Sequence, residues 1–296
     1  MTAPLVSVCI PAYRAEAYIG QAIDSVLAQT LRDWELIVLD NASLDATGEI
    51  AAAYGDPRIR VVTNQRTVSL QDNWNAVVDL ARGRYVKVLP ADDLIEPDCL
   101  ASQAKVLDTD PGVALVACRR TFVDAGGAVV LRDRGLIGLV GRHTGEEVIR
   151  QVMRSGINPI GEPAALLFRH RHLQPAATFD ATLPFPMDLE LALRLLHHGA
   201  FYGLDQSLAS FRIRPDSVSA GGGRSQGAEH RMLLRRLVDD GDWSVSRRQL
   251  WRGLALTYPA GWKRRLLFRA VNQPWPALRR LPALVLDDPG SALGSS

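Results

Sequence analysis

Short apolar, β-prone runs alternate with helical segments along the first 120 residues of this 296-residue chain. In the first helical segment, apolar side chains recur every three or four residues from Ile19 to Leu27, so they share one face. Strands that alternate with helices pair in parallel, and the helices cover both faces of the sheet. The pattern therefore predicts an α/β fold with a doubly wound, mostly parallel sheet. The predicted strands are Leu5–Ile10, Trp34–Leu39, Ile59–Val62, Tyr85–Leu89 and Val113–Cys118.

Three of these strands are followed by residues suited to ligand binding, namely Pro11-Ala12-Tyr13, Asp40-Asn41 and Asp92-Asp93. In open parallel sheets, the ligand lies against the loops at the carboxyl ends of the strands. An aromatic ring, polar acceptors and a pair of carboxylates suit a base, a ribose or uracil edge, and a diphosphate bound through Mg²⁺ or Mn²⁺. We therefore expect a nucleotide site here. The alternative for Asp92 and Asp93 is a surface turn that caps a helix opening near Pro97.

The bulk composition is that of a globular protein, with 47% hydrophobic and 22% charged residues. The chain has three cysteines, an odd number without metal-binding spacing, which favours reduced thiols and a cytoplasmic location. The N-terminus lacks the features of a signal peptide, and no apolar stretch is long enough to span a membrane. The formal net charge of +2 is uneven: residues 224–280 contain 13 Lys or Arg and 4 Asp or Glu, a balance of +9, which leaves −7 for the rest.

This basic region follows the flexible-looking Gly221-Gly222-Gly223 and contains most of the tryptophans. Residues 243–280 combine apolar anchors with cations, which is typical of helices that lie on an anionic membrane. The alternative is a helical appendage that packs its Trp and Leu side chains onto the rest of the protein. Nucleic-acid binding is disfavoured, because no recognised module accompanies the charge. The tryptophans concerned are Trp243, Trp251, Trp262 and Trp275.

Several segments in a fixed order, from Val6 to about Ser219, resemble the family 2 glycosyltransferases, which are inverting enzymes with the GT-A fold. The matching segments are 7–13, 25–30, 34–40, 81–85, 91–93, 188–195 and 211–219. The resemblance implies that residues 1–220 form a GT-A domain, with a nucleotide-binding half at 1–120 and an acceptor-binding half at 121–220. Residues 224–280 would be a basic, Trp-rich helical appendage, and 281–296 a disordered tail.

The resemblance also implies a reaction: a sugar moves, with inversion, from a nucleotide-diphosphate-sugar to an acceptor hydroxyl, as in the synthesis of cell-surface polysaccharides or glycoconjugates. The acceptor would be a sugar, a lipid-linked molecule or another hydroxyl compound. Asp188 matches the family's catalytic base; an ordinary N-cap carboxylate is its alternative explanation. Asp93 would bind the metal and Asp92 the donor. Residues expected at the substrates are Pro11, Ala12, Tyr13, Asp40, Asn41 and Glu162, the last on the acceptor side.

Two residues depart from the family's common pattern. Asn41 stands where many relatives have a second aspartate, and its amide oxygen can still accept a hydrogen bond from a base. Arg214 stands where many have a histidine, and it can pair with phosphate but cannot bind a metal. Two other functions stay open. A sugar-phosphate nucleotidyltransferase would normally have a glycine-rich loop after the first strand, which this chain lacks, and a non-catalytic nucleotide-sugar-binding module would tolerate both departures.

Overall fold

The computed structural model describes residues 3–173, 179–215 and 223–271. It confirms the α/β class, with strands and helices alternating through the first half of the chain. The strands are β1 (Val6–Ala12), β2 (Trp34–Asp40), β3 (Ile59–Thr63), β4 (Tyr85–Val88), β5 (Leu94–Ile95), β6 (Val113–Val123), β7 (Val129–Arg134), β8 (Gly141–His143), β9 (Leu166–Arg169) and β10 (Ala200–Arg212). The helices are α1 (Ile19–Leu27), α2 (Thr47–Ala52), α3 (Leu70–Asp79), α4 (Cys99–Thr109), α5 (Gly145–Ser155), α6 (Met187–Leu195), α7 (Gly223–Asp239) and α8 (Arg247–Val271).

One sheet runs through the described chain in the order β3-β2-β1-β4-β9-β6-β10-β5. The first four strands are parallel, and so are β6 and β10. β9 lies between β4 and β6 and is antiparallel to both, while β7 and β8 add antiparallel edges to β6 and β10. Because β1, β2 and β4 are parallel neighbours, their carboxyl ends meet at one edge of the sheet, as the sequence predicts.

The opposite end of these strands is joined by a buried polar network. The Ser7 hydroxyl donates to Glu35 over 2.6 Å and accepts from the backbone N–H of Gly83 at 2.7 Å. Arg82 donates two side-chain hydrogen bonds to Glu35. Burial alone would raise the pKa of Glu35, but the hydrogen bonds from Arg82 and Ser7 lower it overall. The network fixes β1, β2 and the start of β4 as one rigid unit.

A buried lysine joins the first half of the sheet to the second. Lys87, in the centre of β4, is fully buried, and its ammonium group donates to the carbonyls of Ala164 and Leu166 at 2.7 and 2.9 Å. A buried ammonium group is tolerated only when such acceptors replace water. The carbonyls belong to the segment that leads into β9, so Lys87 fixes that antiparallel strand beside β4.

The helix expected near Pro97 begins at Cys99, with Asp98 as its N-cap residue. Asp92 and Asp93 therefore do not cap that helix, and the short strand β5 separates them from it. The cysteines Cys9, Cys99 and Cys118 are buried and free. Among the described residues, no helix has both the length and the apolar character needed to cross a bilayer. Gly221, Gly222 and the expected tail at 281–296 lie outside the described residues, and the predicted domain limits stay predictions.

Candidate functional site

The ends of β1 and β2 form the first part of the site. Ala12 is the register partner of Asp40, and the backbone N–H of Asn41 donates to the Ala12 carbonyl at 2.8 Å. Pro11 and Ala12 are buried in β1, whereas the Tyr13 ring, just beyond them, is 46% exposed. Arg14 and Ala42 adopt left-handed backbone angles, with φ of 48° and 52°. Such strained, non-glycine residues often mark functional loops, and these two lie just beyond the ends of β1 and β2.

Asp40 and Asn41, both buried, hold the loops that follow β2 and β3 in place. Asp40 accepts a hydrogen bond from the backbone of Ser43 at 3.2 Å. The Asn41 amide oxygen accepts from the backbone of Val68 and from the Asn64 side chain, both at 2.9 Å, and its amide nitrogen donates to the Val68 carbonyl. Both lone pairs of this oxygen are therefore in use. The geometry supports a loop-holding role for Asn41, while its predicted contact with a base stays a prediction.

The paired carboxylates lie immediately beyond β4, and a buried arginine holds them. Asp93 is 1% exposed, and its Oδ1 accepts from the backbone N–H of Arg212 at 2.9 Å. The guanidinium group of Arg212 donates to the Asp92 carbonyl and to Gln21 on α1, both at 2.8 Å. It also donates to the carbonyls of the hairpin turn at 124–125. A single side chain thus connects β10, α1, the hairpin and the acidic loop.

Arg214 lies beside the same loop and forms an ion pair with Asp92, with 2.8 Å between Nε and Oδ2. The guanidinium groups of Arg212 and Arg214 each lie 4.9 Å from the centre of the Tyr18 ring. The ring restrains both cations by cation–π contact. The structure therefore brings Asp92, Asp93 and Arg214 together, at the carboxyl edge where the sequence places them.

Asp93 has the features of a metal ligand. Its Oδ2 is buried and has no hydrogen-bond partner among the described residues, which is costly for a carboxylate unless a cation is bound. Burial, followed by the charge of Asp92, raises the pKa of Asp93 well above its ordinary range, and a bound cation would oppose that shift. The described residues contain no group of three His, Cys, Asp or Glu side chains placed to hold a metal. A divalent ion here would take its other ligands from phosphate and water, as Mg²⁺ commonly does.

Asp188 lies in the first turn of α6, at its second residue. The N-cap position is occupied by Pro186, so Asp188 is not the N-cap residue. Asp188 lines a small cavity together with apolar side chains that include Val88, Phe179 and Leu191. Burial, with a further contribution from the charge of Glu162, raises the pKa of Asp188 to about 7. A carboxyl group with that pKa exchanges a proton near neutral pH, as a general base must.

Glu162 and two arginines complete this acidic cluster. Glu162 is paired with Arg120, which donates from Nη2 to Oε1 at 3.2 Å. The charge of Glu162 acts on both Asp93 and Asp188, so the residue lies near both carboxylates. Arg264, from α8, interacts electrostatically with Glu162 and Asp188. Burial lowers the pKa of Arg264, and the two carboxylates oppose that shift. The cluster therefore spans both halves of the sheet and includes a residue from the C-terminal helices.

The C-terminal helices also hold the segment that leads to Asp188. Glu229 of α7 accepts from the backbone N–H of Phe185 at 2.8 Å, and Arg236 of α7 donates to Asp180 at 2.7 Å. The Arg264 guanidinium lies 4.6 Å from the Phe185 ring centre. Helices α7 and α8 are therefore part of the wall of the site, which supports packing of the basic region onto the α/β core.

Sequence patterns identify the acidic residues of the site and Arg214, but they miss two other arginines near these residues. Arg212 and Arg264 were not among the predicted site residues, although 211–219 is one of the matching segments and Arg264 lies in the basic region. Their partners are distant along the chain: 120 positions separate Arg212 from Asp92, and 79 separate Arg264 from Phe185. The only local signal for Arg212 is a charged residue inside an otherwise apolar strand run.

Comparison with known proteins supports the same classification. The family model described as "Glycosyl transferase family 2" matches residues 7–174. An uncharacterised protein of Mycobacterium tuberculosis is 32% identical over 206 residues, or 67% of this chain and 63% of its own length. The chain thus spans less than two thirds of that relative. The putative glycosyltransferase EpsE of Bacillus subtilis is 29% identical over 72% of this chain and 74% of its own length.

The same architecture occurs among solved structures. The mannosyltransferase PcManGT of Pyrobaculum calidifontis, in complex with GDP-Man and Mn²⁺, superposes with a TM-score of 0.65 at 20% identity. The match covers 99% of this chain and 83% of that one. At this identity, the similarity concerns the fold, and it confirms the predicted GT-A architecture with C-terminal helices. The family match extends over more than half of the sequence, and the chain belongs to glycosyl transferase family 2.

Proposed function

We propose that this protein is an inverting glycosyltransferase that moves a sugar from a nucleotide-diphosphate-sugar to an acceptor hydroxyl, in the synthesis of a cell-surface polysaccharide or glycoconjugate. The observation that carries the proposal is the presence of two chemically different carboxylates that are both affected by the charge of Glu162. Asp93 has an oxygen suited to a cation, and Asp188 has a pKa of about 7. Family membership and the likeness to a mannosyltransferase that binds GDP-Man and Mn²⁺ support the same reading.

Asp188 is the proposed general base. In a single inverting displacement, the acceptor oxygen forms a bond to the anomeric carbon while the bond from that carbon to the diphosphate breaks. The proton of the acceptor hydroxyl passes to the Asp188 carboxylate. The first turn of α6 provides a fixed backbone for this side chain, and the small apolar cavity beside it limits the access of water to the carboxyl group. Glu162, held by Arg120, would orient the acceptor.

The other carboxylates and Arg214 would hold the donor. Asp93 would bind Mg²⁺ or Mn²⁺ and Asp92 the ribose or sugar, with Pro11, Ala12, Tyr13 and Asp40 around the nucleoside. The metal would act as a Lewis acid that neutralises charge on the departing diphosphate. Arg214 lies 2.8 Å from Asp92 and can exchange part of that pairing for a phosphate oxygen. Arg214→Ala should therefore raise the donor KM and lower kcat, and an unchanged kcat/KM would contradict this role.

The first test measures thermal stability with UDP, dTDP, GDP and CMP, each with Mn²⁺ or with EDTA. We expect a metal-dependent rise in Tm with one nucleotide. Asp93→Asn should abolish the metal dependence, whereas Asp98→Asn, an exposed carboxylate at the N-cap of α4, is the matched control and should retain it. No shift with any nucleotide, or an equal shift with EDTA, would contradict the proposed donor site.

A second experiment separates the alternatives. With the donor identified, Asp188→Asn should lose sugar transfer and retain donor affinity. A nucleotidyltransferase would instead form the nucleotide-sugar from a nucleoside triphosphate and a sugar phosphate, and its product would contain released pyrophosphate. A non-catalytic binding module would show no transfer in the unmodified protein.

We also propose that the protein works in the cytoplasm and that its C-terminal basic region makes peripheral contact with the inner face of the membrane. The acceptor would then be a sugar, a lipid-linked molecule or another hydroxyl compound. Support comes from the buried free cysteines and from the exposed, basic surface of α8.

A further inference from the structure

Helix α8 presents two faces with different properties. One face packs on the protein: Leu254 joins the main apolar core, and Leu267, Phe268 and Val271 form a smaller cluster with Ile213, just beyond β10. Arg264 reaches from the same helix to the Phe185 ring. This packing fixes the orientation of the helix relative to the site, so its outer face has a defined direction as well.

The outer face exposes large aromatic side chains. Trp251, Tyr258 and Trp262 are 71%, 65% and 57% exposed. They are separated by seven and four residues, which places them in one row at 3.6 residues per turn. Met232 on the neighbouring helix α7 is also exposed, at 38%. Isolated exposed aromatics are common, but a row of them along one helix marks an interaction surface.

Cations flank this row of aromatics. Arg248, Arg252 and Arg265 are exposed, and none of them has an ion pair with a described residue. The 25-residue helix contains no Asp or Glu. Arg231 of α7 adds a further guanidinium 4.7 Å from the Tyr258 ring centre. The surface therefore combines apolar rings with positive charge. Helix α8 contributes no acidic side chain that would weaken the positive electrostatic potential there.

We propose that this surface, defined by Trp251, Tyr258 and Trp262 with the flanking Arg248, Arg252 and Arg265, rests on an anionic lipid bilayer. Aromatic rings with a polar edge favour the headgroup region, and arginine pairs with lipid phosphates. Charge complementarity favours a lipid surface over a second copy of this chain, because two copies joined by this face would bring like charges together.

The position of α8 also bears on the kind of acceptor that the protein uses. This inference rests on the proposed glycosyltransfer. The helix that lies on the bilayer also supplies Arg264 and, with α7, holds the segment before Asp188. The acceptor side of the site is thereby kept close to the membrane. The substrate class this favours is an acceptor carried by a lipid anchor, with its hydroxyl in the headgroup region.

The test is co-sedimentation of the full chain with vesicles. The probes are pure phosphatidylcholine vesicles and vesicles in which about a third of the lipid is phosphatidylglycerol. We expect binding to the anionic vesicles that weakens with added salt, because the charge part of the attraction is screened. The triple variant Trp251→Ser/Tyr258→Ser/Trp262→Ser should lose about tenfold or more in vesicle affinity, since each ring contributes buried apolar area.

Matched controls test whether vesicle binding depends on this surface or on any exposed apolar side chain. Val129→Ser and Val140→Ser change side chains that are 43% and 42% exposed elsewhere, and these variants should bind vesicles like the unmodified protein. Equal binding by the triple variant, or no binding by the unmodified protein, would overturn the proposal. So would a dimer that the triple substitution converts to monomer. Nucleotide-dependent Tm shifts measured on the same samples report the donor site independently, so the failure of one proposal does not imply failure of the other.

Discussion

Asp188→Asn should remove sugar transfer and at the same time stabilise the folded protein above neutral pH. The ordinary pKa of the group is 3.8, and burial raises it to about 7. The folded protein therefore binds this proton more tightly than the unfolded chain does. As pH rises from about 4 to about 7, the unfolded chain loses the proton first, so the free energy of unfolding falls and the carboxylate costs stability in full above about pH 7.

The size of the effect follows from the pKa difference. About three pH units correspond to about 4 kcal/mol, and partial exposure of the side chain reduces this to about 2 kcal/mol. An amide carries no charge, so Asp188→Asn should raise Tm at pH 8 by about 4–8 °C. Near pH 4.5 the unfolded chain has already lost most of this proton, so the difference in Tm between the variant and the unmodified protein should fall to about half of its value at pH 8.

The assay is thermal unfolding from pH 4.5 to 8.5. Glu190→Gln is the matched control, because Glu190 lies in the first turn of the same helix and forms a partly buried ion pair with Arg194. Its loss should change stability by less than about 1 kcal/mol at every pH. If Asp188→Asn gave the same Tm difference at all pH values, or lowered Tm at pH 8, the carboxylate would not be the desolvated group described here.

The remaining predictions concern rates and packing. In the unmodified enzyme, kcat/KM should rise about tenfold between pH 6 and pH 8, as Asp188 loses its proton with a pKa of about 7. Glu162→Gln should move this rise to lower pH and Arg264→Gln to higher pH, because their charges shift the pKa of Asp188 in opposite directions; parallel shifts would refute the assignment. Gly83→Ala should destabilise the fold by about 2 kcal/mol or more in urea unfolding, since its Cβ would lie 2.5 Å from the backbone nitrogen of Ser7. An unchanged unfolding midpoint would show that β1 and the start of β4 are less tightly joined than described.

The first half of the fold was predictable because each strand is a continuous apolar run with a helix after it. Strands β1, β2, β3 and β4 begin within one residue of the predicted positions. Because helices connect these strands, the strands pair in parallel and their carboxyl ends lie at one edge of the sheet. The placement of Asp40, Asp92 and Tyr13 at that edge can therefore be predicted without knowledge of long-range contacts. The family match covers the same region and confirms the classification.

The second half was less predictable because its contacts are between distant parts of the chain. β10 runs from Ala200 to Arg212, and its apolar pattern is interrupted in the middle by the exposed Asp205 and Gln206. The insertion of β9 between β4 and β6 depends on Lys87 finding carbonyl acceptors, which no local pattern reveals. Arg264 reaches the site only because α8 folds back onto the core.

Arg212 has a consequence for how the protein folds. Its backbone and side chain connect Asp93, Asp92 and Gln21, which are separated from it by 119, 120 and 191 positions along the chain. Closing loops of this length is entropically costly, and contacts of high sequence separation form slowly. The acidic loop therefore acquires its final geometry only when β10 has docked beside β6. During synthesis on the ribosome, residues 1–120 would emerge before β10, with the acidic loop still unanchored, so the proposed donor site would be completed only late in folding.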